Sequence, residues 1–298
     1  MYYNEHTVIY YNGDFVRAAD AKIDLYSQSL HYGYAVFEGI RAYETVNGDA
    51  RIFKASQHFD RLKRSAAAIN MPYHWTTAEL VETTYELLRK NEISDAYIRP
   101  VVYAPANMGF NRNNRSFIVI EAWKMDPFLG EKLLRVMTSS FERPNPKGFM
   151  IEAKATGHYV NSILASQEAK AKGYDEALLN DMSGFVAEGP GANIFLIRDG
   201  KLVTPPVGNI LPGITRATVI EICHELNIPV EEKLFTTEEL KQAEAAFFCG
   251  TAAEVIGWES IDDVKFPTRW NETPGKLVQD AYKNLVTGKK LGHTLASV

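Results

Sequence analysis

Hydrophobic and polar positions change period several times along the chain, and each change marks a new element. TVIYY and DFVRA flank Asn12-Gly13, and RAYETV and DARIF flank Asn47-Gly48. Each dipeptide supplies the positive φ of a two-residue turn, so each predicts a hairpin. From Ser56 the spacing becomes helical, with Phe59, Leu62, Ala66 and Ile69 in QHFDRLKRSAAAIN. A second amphipathic segment opens at Thr77 with Leu80, Val81, Leu87 and Leu88. Residues 95–103 and 116–124 are β-branched and aromatic runs, the first interrupted by Arg99. A strand pair packed on two helices would complete a first domain.

MDPFLGEK, residues 125–132, carries Asp, Pro and Gly between two periodic stretches and reads as an interdomain loop. The expected division is therefore 1–124, 125–132 and 133–298. Beyond the loop, LLRVMTSS reads as a strand, residues 160–172 as a helix and DEALLN as a strand. ANIFLIRDGKLVTPP reads as a hairpin turning at Asp199-Gly200. Thr215 to Leu226 is predicted helical, Thr236 with Glu239 forms a capping box, AEAAFFC is a buried strand and residues 274–287 a last helix. No long period repeats, which argues against a solenoid.

The composition, 46% hydrophobic and 23% charged, is that of a globular protein with a large core. A net charge of -5 gives no general attraction to nucleic acid or an acidic membrane, so neither is an expected partner. No apolar run approaches the ~20 residues of a membrane span, and the opening MYYNEHTVIYYNGD lacks a signal pattern, so a cytoplasmic location is expected. Cys223 and Cys249 lack companions at ligand spacing and read as packed thiols; no metal site is expected.

GxGxxG, P-loop, HExxH and GxSxG signatures are absent, and His31, His58 and His158 are singletons. The remaining candidates are odd polar placements. Arg99 shares a strand face with Tyr97, Val101 and Tyr103; it is either a structural arginine or a ligand anchor, and either role calls for a pairing acid. Lys154, between alanines and just before a helix, is a solvated lysine or a desolvated nucleophile. Gly213-Ile214-Thr215 and Gly250-Thr251-Ala252 offer backbone N–H groups and a hydroxyl that suit a phosphate or carboxylate, or simply cap an element.

LHYGYAVFEGIRAY (30–43), HFDRL (58–62), AYIRP (96–100), AKATGHY (153–159), AEGPGANIF (187–195), LPGITR (211–216) and GTAAE (250–254) resemble, in order and spacing, the motif series of branched-chain amino acid aminotransferases. These are class IV, fold type IV enzymes that use pyridoxal 5'-phosphate. The resemblance implies an α+β chain with a small N-terminal sheet-and-helix domain and a larger C-terminal domain with a barrel-like sheet, the cofactor lying between them. It also implies reversible amino transfer from leucine, isoleucine or valine to 2-oxoglutarate.

Carried over position by position, it makes Lys154 the catalytic residue, joined covalently to the cofactor and then moving the substrate proton. Arg61, Ile214, Thr215 and Thr251 would cradle the phosphate, with Leu211, Gly213 and Gly250 also binding the cofactor. Glu188 would hold the pyridine nitrogen and Tyr159 the phenolic oxygen. Thr251 and Ala252 would take the α-carboxylate, Tyr32, Phe37, Gly39 and Tyr97 would wall the side-chain pocket, and Arg99 would bind the distal carboxylate of glutamate. A homodimer is implied, with Tyr32 and the loop near Met108 and Gly109 closing over the partner's pocket. The sequence departs from the family pattern at His158, where Asn is usual, and at Met125 and Phe128, where Trp and Tyr are common. The rivals are D-amino acid aminotransferase, (R)-amine transaminase and aminodeoxychorismate lyase of the same fold, and a non-catalytic binding protein that kept the fold.

Overall fold

Asn12 and Gly13 take φ of 52° and 110° and turn β1 (Val8–Tyr11) back onto β2 (Asp14–Arg17), with Tyr11 opposite Asp14. This is the tight hairpin that an Asn-Gly pair favours. The computed structural model describes residues 2–125, 129–130 and 132–288. In chain order there follow α1 (Gln28–Tyr32), β3 (Ala35–Phe37), β4 (Ile40–Glu44), β5 (Ala50–Ile52), α2 (Ala55–Ala68), α3 (Thr77–Lys90), β6 (Ala96–Tyr103) and β7 (Phe117–Trp123). The connection between β4 and β5 is looser than a two-residue turn: Thr45 N donates to Asp49 O, and Gly48 N to Thr45 O. Thr76 and Glu79 make a reciprocal capping box at the start of α3.

These strands form one sheet in the order β2-β1-β7-β6-β4-β5, with β3 also on β6. The core holds Val36, Ile40, Ile98, Val102, Ile118 and Ile120 from one sheet face, with Phe59 and Leu62 of α2 and Leu80 and Leu87 of α3. Strand alternation therefore turns Phe37, Arg41, Tyr97, Arg99 and Glu121 to the opposite face.

By internal contacts the chain divides into two units, Met1–Asp126 with Ala153–His158, and Pro127–Glu152 with Tyr159–Val298. The short segment carrying Lys154 thus packs with the first unit, whereas the expected ranges place it in the second. Phe37 N donates to Lys154 O, Gly157 N to Gly33 O and Thr156 Oγ1 to Gly33 O, while Val36 bridges Ala155. Gly33 has to be a glycine here: its φ is 64°, and a Cβ on it would stand 2.8 Å from Gly157 Cα.

The second unit contains β8 (Leu134–Thr138), α4 (Tyr159–Ala171), β9 (Glu176–Asn180), β10 (Val186–Glu188), β11 (Asn193–Arg198), β12 (Lys201–Thr204), α5 (Ile214–Glu225), β13 (Val230–Glu232), α6 (Thr237–Lys241), β14 (Ala245–Gly250), β15 (Glu254–Ile261), β16 (Val264–Lys265) and α7 (Pro274–Thr287). Its sheet runs β10-β9-β8-β15-β14-β11-β12-β13 with β16 on β15, and it curls as a half-barrel. One face buries Ile194, Leu196, Phe248, Ile256 and Trp258. Side chains on the other face, Phe195 and Phe247, stack with ring centroids 5.1 Å apart. Burial on both faces removes the alternation that marks a strand. The sequence pattern accordingly does not announce β15, and Gly257 within it looks like a breaker. A Cβ there would lie 2.4 Å from the Trp270 ring, so packing accounts for that glycine.

Cys223 and Cys249 are buried and free; burial pushes the Cys223 thiol up to about 12 and the Cys249 thiol up as well. Both are inert packing groups at neutral pH. Among the described residues no helix is long and apolar enough to cross a membrane.

Candidate active site

The run Phe37-Glu38-Gly39-Ile40-Arg41 splits between the two faces of the first sheet. Phe37 lies opposite Val101, and Ile40 opposite Ile98. Glu38 N donates to Pro100 O, which keeps the register through a proline that has no N–H to return. Glu38 therefore turns toward α2, and Phe37, Gly39 and Arg41 turn toward Tyr97 and Arg99.

On α2, His58, Arg61 and Ser65 recur at spacings of three and four, which puts them on one helical face. Glu38 Oε1 accepts from Arg61 Nε at 2.7 Å, and Glu38 Oε2 accepts from Arg61 Nη2 at 2.8 Å and from His58 Nδ1 at 2.7 Å. All three side chains are buried. Burial opposes ionisation of Glu38, but the Arg61 guanidinium, with His58, outweighs it and holds the carboxyl well below the usual carboxylate range. Burial depresses His58, against the pull of Glu38, so the imidazole is neutral and donates its Nδ1 proton.

Replacing Glu38 by glutamine should cost about 3–5 kcal/mol of stability, because it leaves the Arg61 charge buried without its acid. The sign with pH follows from the lowered folded value. Glu38 contributes its full stabilisation above the ordinary 4.5 and loses it as pH falls through the depressed value. Denaturant melts should show a constant deficit for the variant from pH 8 to about 5, narrowing below that.

Ser65 extends the same face to Lys154, accepting its backbone N–H at 3.0 Å. With the backbone fixed on both sides, the Lys154 Nζ lies 4.9 Å from the Phe37 ring centroid. The Arg99 guanidinium carbon lies 4.6 Å from the same centroid and 5.2 Å from that of Tyr97. Its Nη2 donates to the Tyr97 hydroxyl at 3.1 Å, while its buried Nε has no hydrogen-bond partner.

The expectation that Arg99 needs a pairing acid is corrected: no carboxylate stands within ion-pair distance among the described residues, and aromatic rings surround it instead. Weak hydration lets a guanidinium stack in this way. Gly39 acts as space for a neighbour, since a Cβ there would fall 2.0 Å from the Tyr97 hydroxyl. Tyr32 stands apart from this group; it is exposed, donates to Met108 O at 3.1 Å and packs its ring near Phe110.

Arg41, which sequence reasoning does not single out, lies opposite Tyr97 and donates through Nη2 to Asp95 at 2.8 Å. Its Nε and Nη1 are buried without hydrogen-bond partners, and its guanidinium carbon lies 5.2 Å from the Tyr43 ring centroid.

In the second unit, Glu188 ends β10 with its carboxylate buried. It accepts from Arg143 Nη2 at 3.0 Å, Asn193 Nδ2 at 3.1 Å and Leu211 N at 3.2 Å. Asn193 also donates to Leu211 O at 3.0 Å, tying β11 to the approach to α5. A Cβ on Gly213 would stand 1.9 Å from Asn193 Oδ1, and one on Gly250 would stand 3.1 Å from Gly191 O. The start of β11 therefore lies between the N-terminus of α5 and the end of β14.

Two sets of donors converge there. Ile214 and Thr215 open α5 after Gly213, which gives no side-chain cap. Thr251 and Ala252 make the turn from β14 to β15, where Gly250 pairs with Glu254. Backbone N–H groups at a helix N-terminus with a hydroxyl beside them suit a phosphate. Tyr159 begins α4 directly after the turn Thr156–His158. Met125 is half-buried beyond β7, and Phe128 lies outside the described residues. Arg143, Asn193, Glu38 and Ser65 escape sequence reasoning because each acts on another part of the chain, which no spacing in the sequence reveals.

A half-buried amine set against an aromatic ring, helix-start donors for phosphate and a fixed carboxylate are the parts a pyridoxal enzyme requires. The family model for Amino-transferase class IV matches residues 35–261, and the chain belongs to that family. Within the family its relatives are branched-chain-amino-acid aminotransferases. That of Pseudomonas aeruginosa is 41% identical over 292 residues, covering 96% of this chain and 95% of its own. The crystal structure of the Escherichia coli enzyme superposes with a TM-score of 0.92 at 36% identity, covering 96% of this chain and 98% of the other. That of the Thermobaculum terrenum enzyme, solved in its PLP form, gives 0.88 at 34% identity, covering 96% of both chains.

Proposed function

We propose that the chain is a transaminase that moves the amino group of branched-chain L-amino acids to 2-oxoglutarate, with pyridoxal 5'-phosphate as cofactor. The observation that carries this reading is the convergence of Lys154 and Arg99 on the Phe37 ring, at 4.9 and 4.6 Å. An amine, an apolar wall and a guanidinium held in no ion pair among the described residues together match a substrate that is apolar in one half-reaction and dicarboxylic in the other.

When bound, the cofactor supplies the aldehyde and the electron-accepting ring. Lys154 anchors it and moves the proton at the substrate Cα. Glu188, held by Arg143, Asn193 and Leu211, would accept a hydrogen bond from the ring N–H and so keep that nitrogen protonated. Arg61, Ile214, Thr215 and Thr251 hold the phosphate, Gly213 and Gly250 also bind the cofactor, and Tyr159 takes the phenolic oxygen. Thr251 and Ala252 N–H groups take the α-carboxylate. Phe37 and Tyr97 wall the side-chain pocket, and Arg99 takes the distal carboxylate.

A screen of amino donors against 2-oxoglutarate tests the reading. Leucine, isoleucine and valine should yield glutamate. Turnover of D-alanine or (R)-amines instead, or release of pyruvate from aminodeoxychorismate, would favour the same-fold alternatives. His158, Met125 and Phe128 bear on the ranking of donors.

Tyr32 completes the pocket of a second copy in a homodimer acting in the cytoplasm. Its support is the exposed apolar group of Leu25, Tyr26, Tyr32, Met108 and Phe110, the last 88% exposed. Activity should disappear at dilutions where sedimentation shows monomer; full turnover by monomer would remove this part of the reading.

A further inference from the structure

Glu121 lies directly opposite Arg99 in the register of β6 and β7, and opposite residues of an antiparallel pair share a face, with Cβ atoms about 5 Å apart. Arg99 has the Tyr97 hydroxyl and two rings as its partners, and no acid within ion-pair distance among the described residues. Its charge is nevertheless felt across the strands. Glu121 is exposed, while neighbouring protein around it desolvates its carboxyl enough to raise it, and Arg99 is the charge that opposes the rise. The two groups are thus near enough to interact without closing an ion pair.

We infer that Glu121 is a specificity-determining residue: an anion across the strand pair from Arg99 that weakens binding of dicarboxylic substrates relative to branched-chain ones. This rests on the proposed role of Arg99 as anchor for the distal carboxylate. An apolar side chain leaves Arg99 facing Glu121. A dicarboxylate places a second anion on the same guanidinium, and the two carboxylates repel. The acid therefore keeps glutamate and 2-oxoglutarate from saturating a site that must also admit leucine.

Glu121→Gln keeps the size of the side chain and removes the charge, so the holoenzyme can be compared directly. Two equilibrium probes report binding without turnover: glutarate, which has the second carboxylate, and 4-methylpentanoate, which lacks it. A unit charge at this range, partly screened, gives an expected tightening of about three- to tenfold in glutarate binding, with a matching fall in the Michaelis constant for 2-oxoglutarate. The dissociation constant of 4-methylpentanoate and the Michaelis constant for leucine should stay unchanged.

Arg99→Ala and the double variant separate the two readings. If Glu121→Gln tightens glutarate binding in the otherwise native chain, Arg99→Ala loses glutarate selectively, and Glu121→Gln makes no difference in the Arg99→Ala background, the inference holds. Unchanged or weaker glutarate binding by Glu121→Gln, with Arg99→Ala still selective, overturns the role of Glu121 alone. A loss in Arg99→Ala that falls equally on both probes overturns the anchor reading beneath it. A purely structural cross-strand pair predicts a lower Tm for Glu121→Gln and equal effects on both probes.

Discussion

Lys154→Ala should lower kcat/KM for leucine by at least about 10,000-fold while leaving the melting temperature nearly unchanged. Two losses combine in the rate. The amine that anchors the cofactor is gone, and so is the group that moves the proton at Cα, which alone is worth roughly 100- to 10,000-fold. The fold should tolerate the change because the bonds that fix this segment are made by backbone: Lys154 N donates to Ser65 Oγ, and Lys154 O accepts from Phe37 N. Stability loses the side-chain contacts of Lys154, among them the cation over the Phe37 ring, worth about 0.5–1 kcal/mol. Reduction of the holoenzyme with borohydride followed by peptide mapping should place the pyridoxyl group on Lys154. A label on another lysine, or an alanine variant that retains a tenth of its activity, would sink the assignment.

Lys154 itself is legible only through the ordered motifs around it. Taken alone, a lysine between two alanines is ordinary, and nothing in AKATGHY says that it will lie beside Phe37, more than 110 positions earlier. The elements that follow local rules are legible directly. The Asn12-Gly13 hairpin, the Thr236 and Glu239 capping box, and α7 from Pro274 each depend on a few neighbouring residues. Those set by tertiary packing are not. β15 is buried along most of its length, and Gly39, Gly213 and Gly257 are glycines because Tyr97, Asn193 and Trp270 occupy the space a Cβ would need. Glu38 is the clearest case. Its place in FEGIR suggests a solvent-facing acid as readily as a buried one, and only the fold brings it to Arg61 and His58.

Arg99→Ala should divide the two half-reactions. Leucine makes no demand on the guanidinium, whereas glutamate would have to bury its distal carboxylate without a partner. Removing one member of such a charge pair typically costs about 2–5 kcal/mol, or roughly 30-fold to several thousand-fold in binding. Single-turnover measurements with the two amino acids should show that loss for glutamate and little change for leucine. The structure sharpens the comparison with a structural role. An arginine buried against a core acid would leave that acid stranded when truncated, and stability would fall with it. Arg99 has no carboxylate in ion-pair contact among the described residues; it hydrogen-bonds the Tyr97 hydroxyl and lies over Phe37 and Tyr97. Truncation therefore breaks no ion pair and forfeits a hydrogen bond and ring contacts, so Tm should shift by only a few degrees. Equal losses for leucine and glutamate, with a large drop in Tm, would show that Arg99 supports the pocket without reading the substrate, and would remove the chief reason for pairing a branched-chain donor with a dicarboxylic acceptor at this site.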